Sequence, residues 1–141
     1  PGHITLMMPF LWKEKKEAKL FDLLVQATKE EKFNLEFDGF GAFPPRTVFI
    51  KNKESPDLMD FQKRLAQHAK RQMNQFNATH NRVYHPHMTV DFRDLKKDQF
   101  VEAWREFKDR PFNSQFEVNA FWLLKHDGER WNAYREFQFS V

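Results

Sequence analysis

From residue 3 to residue 8 the chain alternates polar and apolar positions and then turns apolar up to Pro9, the pattern of a strand with one lined face. A Lys/Glu-rich segment follows in which Ala18, Phe21, Leu24, Val25 and Thr28 recur at helical spacing, predicting an amphipathic helix over about 14–30. In FNLEFDGFGAF, Phe33, Leu35 and Phe37 share one side with period two, so a strand is expected. Pro44-Pro45 marks a turn. In RTVFIKN, Val48 and Ile50 alternate with Thr47 and Phe49, which reads as a second strand antiparallel to the first. Ser55 has an N-cap side chain, Pro56 suits the first helical position and Asp57 favours the helix start. The helix they open has Leu58, Phe61, Leu65, Ala69 and Met73 as its buried stripe and is expected to end near Gln75. NATHNRVYHP is polar and turn-rich, hence a loop.

The second half then repeats the order of the first. HMTV reads as a strand, RDLKKD leads into a helix with Phe100, Val101, Trp104 and Phe107 as its stripe, and FEVNAFWLL reads as a strand with Phe116 and Val118 on one face. Aligning the halves puts His3 on His87, Phe33 on Phe116 and Leu35 on Val118, so a whole strand-helix-strand unit recurs. Asp127-Gly128 is a hairpin signal between two closing strands. Strands and helices without a long βαβ series predict an α+β fold of two related lobes, with no Gly-, Pro- or Ser-rich linker between them.

Composition narrows the class only a little. The 141 residues suit one domain with a real core, and 17 phenylalanines among 40% hydrophobic residues exclude a disordered segment. No apolar run approaches a membrane span, and the first residues do not form a charged stretch followed by a signal core, so a soluble, cytoplasmic protein is expected. The absence of cysteine removes disulfides, thiolate zinc sites and cysteine nucleophiles. A net charge of +3 favours a polyanionic partner weakly.

The candidate chemistry lies in two copies of one pattern, His3-Ile4-Thr5-Leu6 and His87-Met88-Thr89-Val90. Residues two apart on a strand share a face, so His3 with Thr5, and His87 with Thr89, point one way while Ile4, Leu6, Met88 and Val90 point to a core. If the halves are related by an approximate twofold, the two strands can approach across a cleft. Two imidazoles and two hydroxyls then face one point. Two histidines are what an in-line displacement at phosphorus needs, one to take a proton from the attacking oxygen and one to protonate the leaving oxygen. Each threonine hydroxyl can donate to a non-bridging phosphate oxygen. That scheme requires neither metal nor cofactor. A single His-x-Thr carries almost no information, since both residues are common on half-exposed strands; the pairing carries the weight.

These two motifs, with FDGFGAFPPRTVFI and a long helix between them and the HPHMT spelling of the second, resemble the 2H phosphoesterase superfamily, and within it the 2′-5′ RNA ligase family of RNA 2′,3′-cyclic phosphodiesterases. The resemblance covers essentially the whole chain. It implies one bilobal α+β domain over 1–141, with antiparallel sheets around a central cleft and a motif from each pseudo-symmetric lobe. It also implies opening of 2′,3′-cyclic phosphates of RNA ends or nucleotides to 2′-phosphates, with reverse 2′-5′ ligation in some members. By the same resemblance His87 is the base that activates water and His3 the acid that protonates the departing 3′-oxygen, with the order open to exchange. The family normally carries a strand and a helix before its first motif, whereas here the histidine is residue 3. A chain truncated at its N-terminus is therefore expected, with a strand edge that could pair with another chain. An RNA-binding module of the same fold with little catalysis is the alternative.

Other candidates flank the motifs. Arg93, just past the second motif, could hold phosphate oxygens bidentately or simply pair with Asp91 or Asp94. Arg46, after the two prolines, is a candidate phosphate or ribose contact or an ordinary surface charge. Phe10, Phe43 and Tyr84 could stack on a base, although most of the phenylalanines must be core. His85 is a candidate substrate contact, and His85-Pro86-His87 could instead place two imidazoles on a metal, with His80 or Asp91 as the third ligand. His68, in a helix, and His126, beside the hairpin turn, are expected at the surface.

Overall fold

The computed structural model describes residues 2–79, 83–89 and 95–141 of the chain. Its regular elements are helix α1 (Glu17–Val25), strands β1 (Phe33–Phe43) and β2 (Thr47–Asn52), helix α2 (Pro56–Gln72), the short strand β3 (Met88–Thr89), helix α3 (Lys97–Phe107), and strands β4 (Asn113–Val118), β5 (Ala120–His126) and β6 (Trp131–Gln138). The architecture is α+β. A four-stranded sheet runs in the order β3-β2-β1-β4, and β5 and β6 form a two-stranded antiparallel sheet. The described residues of Pro1–Leu6, Leu35–Pro56 and Val83–Phe116 make one compact unit, and those of Met7–Asn34, Asp57–Arg82 and Glu117–Val141 make another. Among the described residues no helix is long and apolar enough to cross a membrane.

In the first unit the antiparallel pairing of β1 and β2 brings Phe40 opposite Ile50 and Gly41 opposite Phe49, and Ile50 in turn faces Met88 on β3. The rings of Phe107 on α3 and of Phe112 lie 5.0 and 5.8 Å from that of Phe40, so α3 covers the face carrying Phe40, Ile50 and Met88. Strand alternation leaves Gly41, Phe49 and Thr89 on the other face. A register shift between Phe37 and Phe40 is an irregularity absorbed at Gly39, whose φ of +73° is open to glycine at little steric cost.

The second unit is organised around Phe61 of α2, 2% exposed, with the rings of Phe139, Phe121 and Phe33 at 5.1, 6.0 and 6.4 Å. The expected α2 stripe is the buried one, Leu58, Phe61, Leu65, Ala69 and Met73. The helix stops at Gln72, short of the expected Gln75, because Asn74 turns left-handed at φ 57° and the Gln75 N–H closes onto the Ala69 carbonyl. His68, expected at the surface, is half-buried and donates from Nε2 to the Leu23 carbonyl at 2.6 Å, tying α2 to α1. Nor is the segment 14–30 one helix. α1 is flanked by 3-10 turns at Glu14–Lys16 and Gln26–Thr28, and its buried residues are Leu20, Leu23 and Leu24, while Ala18 and Val25 are exposed. Two stripes at helical spacing competed here, and the leucines bury more apolar area than Ala18 and Val25. In α3 likewise Phe100 is buried and Val101 exposed.

FEVNAFWLL, expected as one strand, is two. β4 ends at Val118 and β5 begins at Ala120, the Asn119 carbonyl accepting the Phe139 N–H between them. Phe116 stacks on Phe37 in the larger sheet, whereas Phe121 stacks on Phe137 in the smaller. A single straight strand cannot serve two sheets. The Asp127-Gly128 hairpin is present, with Gly128 at φ +103° and the Asp127 carboxylate accepting the N–H groups of Glu129 and Arg130 and the Asn132 side-chain amide.

Two outcomes test this packing. Phe61→Ala is expected to cost about 3–5 kcal/mol in denaturant unfolding, the range for emptying a buried phenylalanine site. The bonds from Arg130, Glu129 and Asn132 hold the Asp127 carboxyl down at about 2. A depressed carboxylate stabilises above its unfolded value and loses that contribution as pH falls through the folded one. The melting-temperature gap between wild type and Asp127→Asn is therefore expected to be constant above about pH 5 and to narrow toward pH 2.

Candidate active site

The two motif strands meet. Ile4 pairs with Met88 in an isolated antiparallel bridge, and β3, which holds Met88, pairs with β2 through Ile50. The antiparallel register around that bridge sets His3 opposite Thr89 and Thr5 opposite His87, so all four motif side chains occupy one face. His3, Thr5 and Thr89 are exposed, and His87 is half-buried. Ile4 and Met88 lie on the opposite face, where the Met88 side chain runs so close to Gly2 that a Cβ there would stand 2.8 Å from Sδ. The two histidines occupy diagonal positions, whose Cα separation in such a ladder is about 7–8 Å. That leaves room between the imidazoles for a tetrahedral phosphorus.

His87 is held from two directions. Its Nδ1 lies 2.8 Å from the His85 carbonyl oxygen, and because a carbonyl only accepts, this contact requires the proton on Nδ1. In the neutral ring Nε2 then carries the lone pair, available to take a proton. The ring also packs against Phe43, 4.9 Å away at 83°, and Phe49, 5.2 Å away at 56°. Such aromatic contacts are each worth about 0.5–1.5 kcal/mol beyond the area they bury.

Tyr84 is half-buried, and its hydroxyl donates to the Thr5 carbonyl at 2.7 Å. Burial pushes its phenol above the ordinary tyrosine range, so it remains a donor throughout the working pH range. This bond ties the loop before the second motif to the strand of the first. Phe43, 38% exposed, presents part of its ring to solvent beside His87. Arg46 is exposed in the turn between β1 and β2, its N–H donating to the Phe43 carbonyl. His85 is exposed and contributes its carbonyl to His87. The motif residues, Phe43, Arg46, Tyr84 and His85 thus all belong to the first unit, whereas Phe10 belongs to the second, its ring 6.4 Å from Trp12. Arg93 lies outside the described residues, as do His80, Asp91 and Asp94. Among the described residues no three His, Asp or Glu side chains gather as a metal site would require.

Sequence reasoning missed Phe49 and Gly41, which support His87, and Lys51, which alternation from Phe49 puts on the same face in register with His87. Two glycines inside one strand, Gly39 and Gly41, were the available signal, since an interior glycine often marks a bulge or a close approach.

The family model of the 2′-5′ RNA ligase superfamily matches residues 1–130. The chain belongs to that superfamily of phosphoesterase- and ligase-like enzymes. No curated protein sequence matches it. Among solved structures, TT0787 of Thermus thermophilus is similar at a TM-score of 0.68 and 18% identity, over 98% of this chain and 78% of that one. Escherichia coli LigT, crystallised with 3′-AMP, is similar at a TM-score of 0.68 and 22% identity, over 99% of this chain and 78% of that one. LigT crystallised with NADP+ gives 0.67 and 24%, over 99% of this chain and 77% of that one. At these identities the likeness is one of fold.

Tyr84→Phe removes the hydrogen bond to the Thr5 carbonyl and little else. Amide exchange at residues 3–6 is expected to speed up about fivefold, as the loss of about 1 kcal/mol requires.

Proposed function

We propose that the chain is a metal-independent phosphodiesterase that opens 2′,3′-cyclic phosphates of RNA ends or nucleotides to 2′-phosphates, with 2′-5′ RNA ligation as a companion reaction. The observation that carries this reading is the Ile4–Met88 bridge, which turns two sequence motifs into one surface of two imidazoles and two hydroxyls. Membership of the 2′-5′ RNA ligase superfamily supports the class of bond, and the nucleotides crystallised with LigT support a nucleotide substrate. The whole chain is read as one domain of two related lobes.

In the proposed reaction the Nε2 lone pair of His87 takes a proton from water as its oxygen attacks phosphorus. The bond from phosphorus to the ribose 3′-oxygen breaks, and His3 in its cationic form protonates that oxygen. The phosphate stays on the 2′-oxygen. The hydroxyls of Thr5 and Thr89 donate to the non-bridging oxygens, where negative charge builds in the transition state. Because one histidine must be neutral and the other charged, the pH profile of kcat/KM is expected to be bell-shaped. With a 5′-hydroxyl in place of water as the attacking group, the same proton transfers open the cyclic phosphate into a 2′-5′ phosphodiester, and the bond to the 3′-oxygen breaks as before. Phe43, Arg46, Tyr84 and His85, with Phe10 and Arg93, remain the proposed contacts to base and phosphate.

Incubation with a 2′,3′-cyclic nucleotide in the presence of a chelator is expected to yield the 2′-phosphate. His3→Ala and His87→Ala are each expected to lower turnover about 100- to 10,000-fold with unchanged circular dichroism. Wild-type turnover retained in either variant would remove the assignment. Tight binding of RNA by wild type without product would favour a binding module.

A further inference from the structure

The imidazole of His87 is contacted by residues that neither motif contains. The ring of Phe49 lies across Gly41, its partner in the β1–β2 register, so closely that a Cβ on residue 41 would meet Cε2 and Cζ of Phe49 at 2.5 Å. Real Cβ contacts essentially never come so near, so an alanine there must displace the ring. Gly41 is therefore required for space. In that position the ring of Phe49 packs against that of Phe43 at 4.6 Å with a 34° tilt, and the pair forms the wall against which His87 rests, at 5.2 and 4.9 Å.

We propose that Gly41 and Phe49 are positioning residues, through which the β1–β2 ribbon sets the direction of the His87 imidazole. The Nδ1 contact to the His85 carbonyl fixes one point of the ring and leaves rotation about that point. The rings of Phe49, on the strand that pairs with β3, and of Phe43 pack against the imidazole and restrict that rotation. A missing side chain on β1 thus controls the aim of a histidine two strands away. This inference rests on the reading of His87 as a catalytic base, and it adds residues that touch no substrate.

The test uses the full chain with Gly41→Ala, Phe49→Leu and the double variant. Gly41→Ala is expected to lower kcat about 10- to 100-fold, the penalty of a misplacement near 1 Å, with KM changed less than about threefold. Phe49→Leu is expected to do the same. The double variant should be no worse than Phe49→Leu alone, because leucine does not need the space over residue 41 and the two effects act through one contact. In proton NMR spectra the His87 Hε1 resonance, displaced in wild type by the ring currents of Phe43 and Phe49, should move toward its free-histidine position in each variant. Should Gly41→Ala fail to fold, Phe49→Leu gives both readouts alone. Unchanged kcat and an unchanged Hε1 resonance in a folded variant overturn the proposal while leaving the phosphodiesterase reading intact. If wild type turns over no cyclic nucleotide, that reading fails, and the Hε1 shift still decides whether the ribbon orients the ring.

Discussion

The bridge between Ile4 and Met88 is the constraint on which the candidate site depends. An antiparallel pair in any other register of the same parity would keep the polar and apolar faces but slide the histidines past one another. A shift of one residue would turn one motif's polar pair toward the core face. What selects the observed register is the apolar side: Ile4, Met88, Ile50 and Phe40 fall in one row, over which α3 packs with Phe107, and Met88 fills the space left by Gly2. The hydrophobic row is thus what aligns the polar one.

That row also explains how so short a strand as β3 can hold a site. Two residues contribute little ladder, and the strand is steadied by pairing on both of its edges and by the Tyr84 hydroxyl, which reaches from its N-terminal loop to the Thr5 carbonyl. Around His87 the same economy recurs, with one backbone carbonyl and two aromatic rings restraining a single imidazole. The second unit draws its stability from elsewhere, in the aromatic cluster around Phe61 and the hydrogen-bonded turn at Asp127.

Much of this was legible along the chain. β1, β2, the α2 stripe and the closing hairpin follow from period-two and period-3.6 patterns backed by local turn and cap residues, and local signals survive folding when nothing tertiary competes with them. They failed where two solutions were locally equal. In α1 the stripe through Leu20 and Leu23 had the same spacing as the one through Ala18 and Val25, and burial chose between them. In 116–124 an unbroken apolar run concealed the exchange of one sheet for another at Asn119.

The site divides along the same line. The sequence by itself determined the chemical inventory, two His-x-Thr pairs on strands with an aliphatic residue after each, because alternation is a property of the strand and needs no partner. Only the tertiary structure decided that the pairs are neighbours, that Nδ1 of His87 is the nitrogen engaged by backbone, and that Gly41 makes room for the ring of Phe49 against it. Those are relations between strands distant in the chain. They arise from register, which is set by the packing of side chains on the opposite face and has no signature in any one segment.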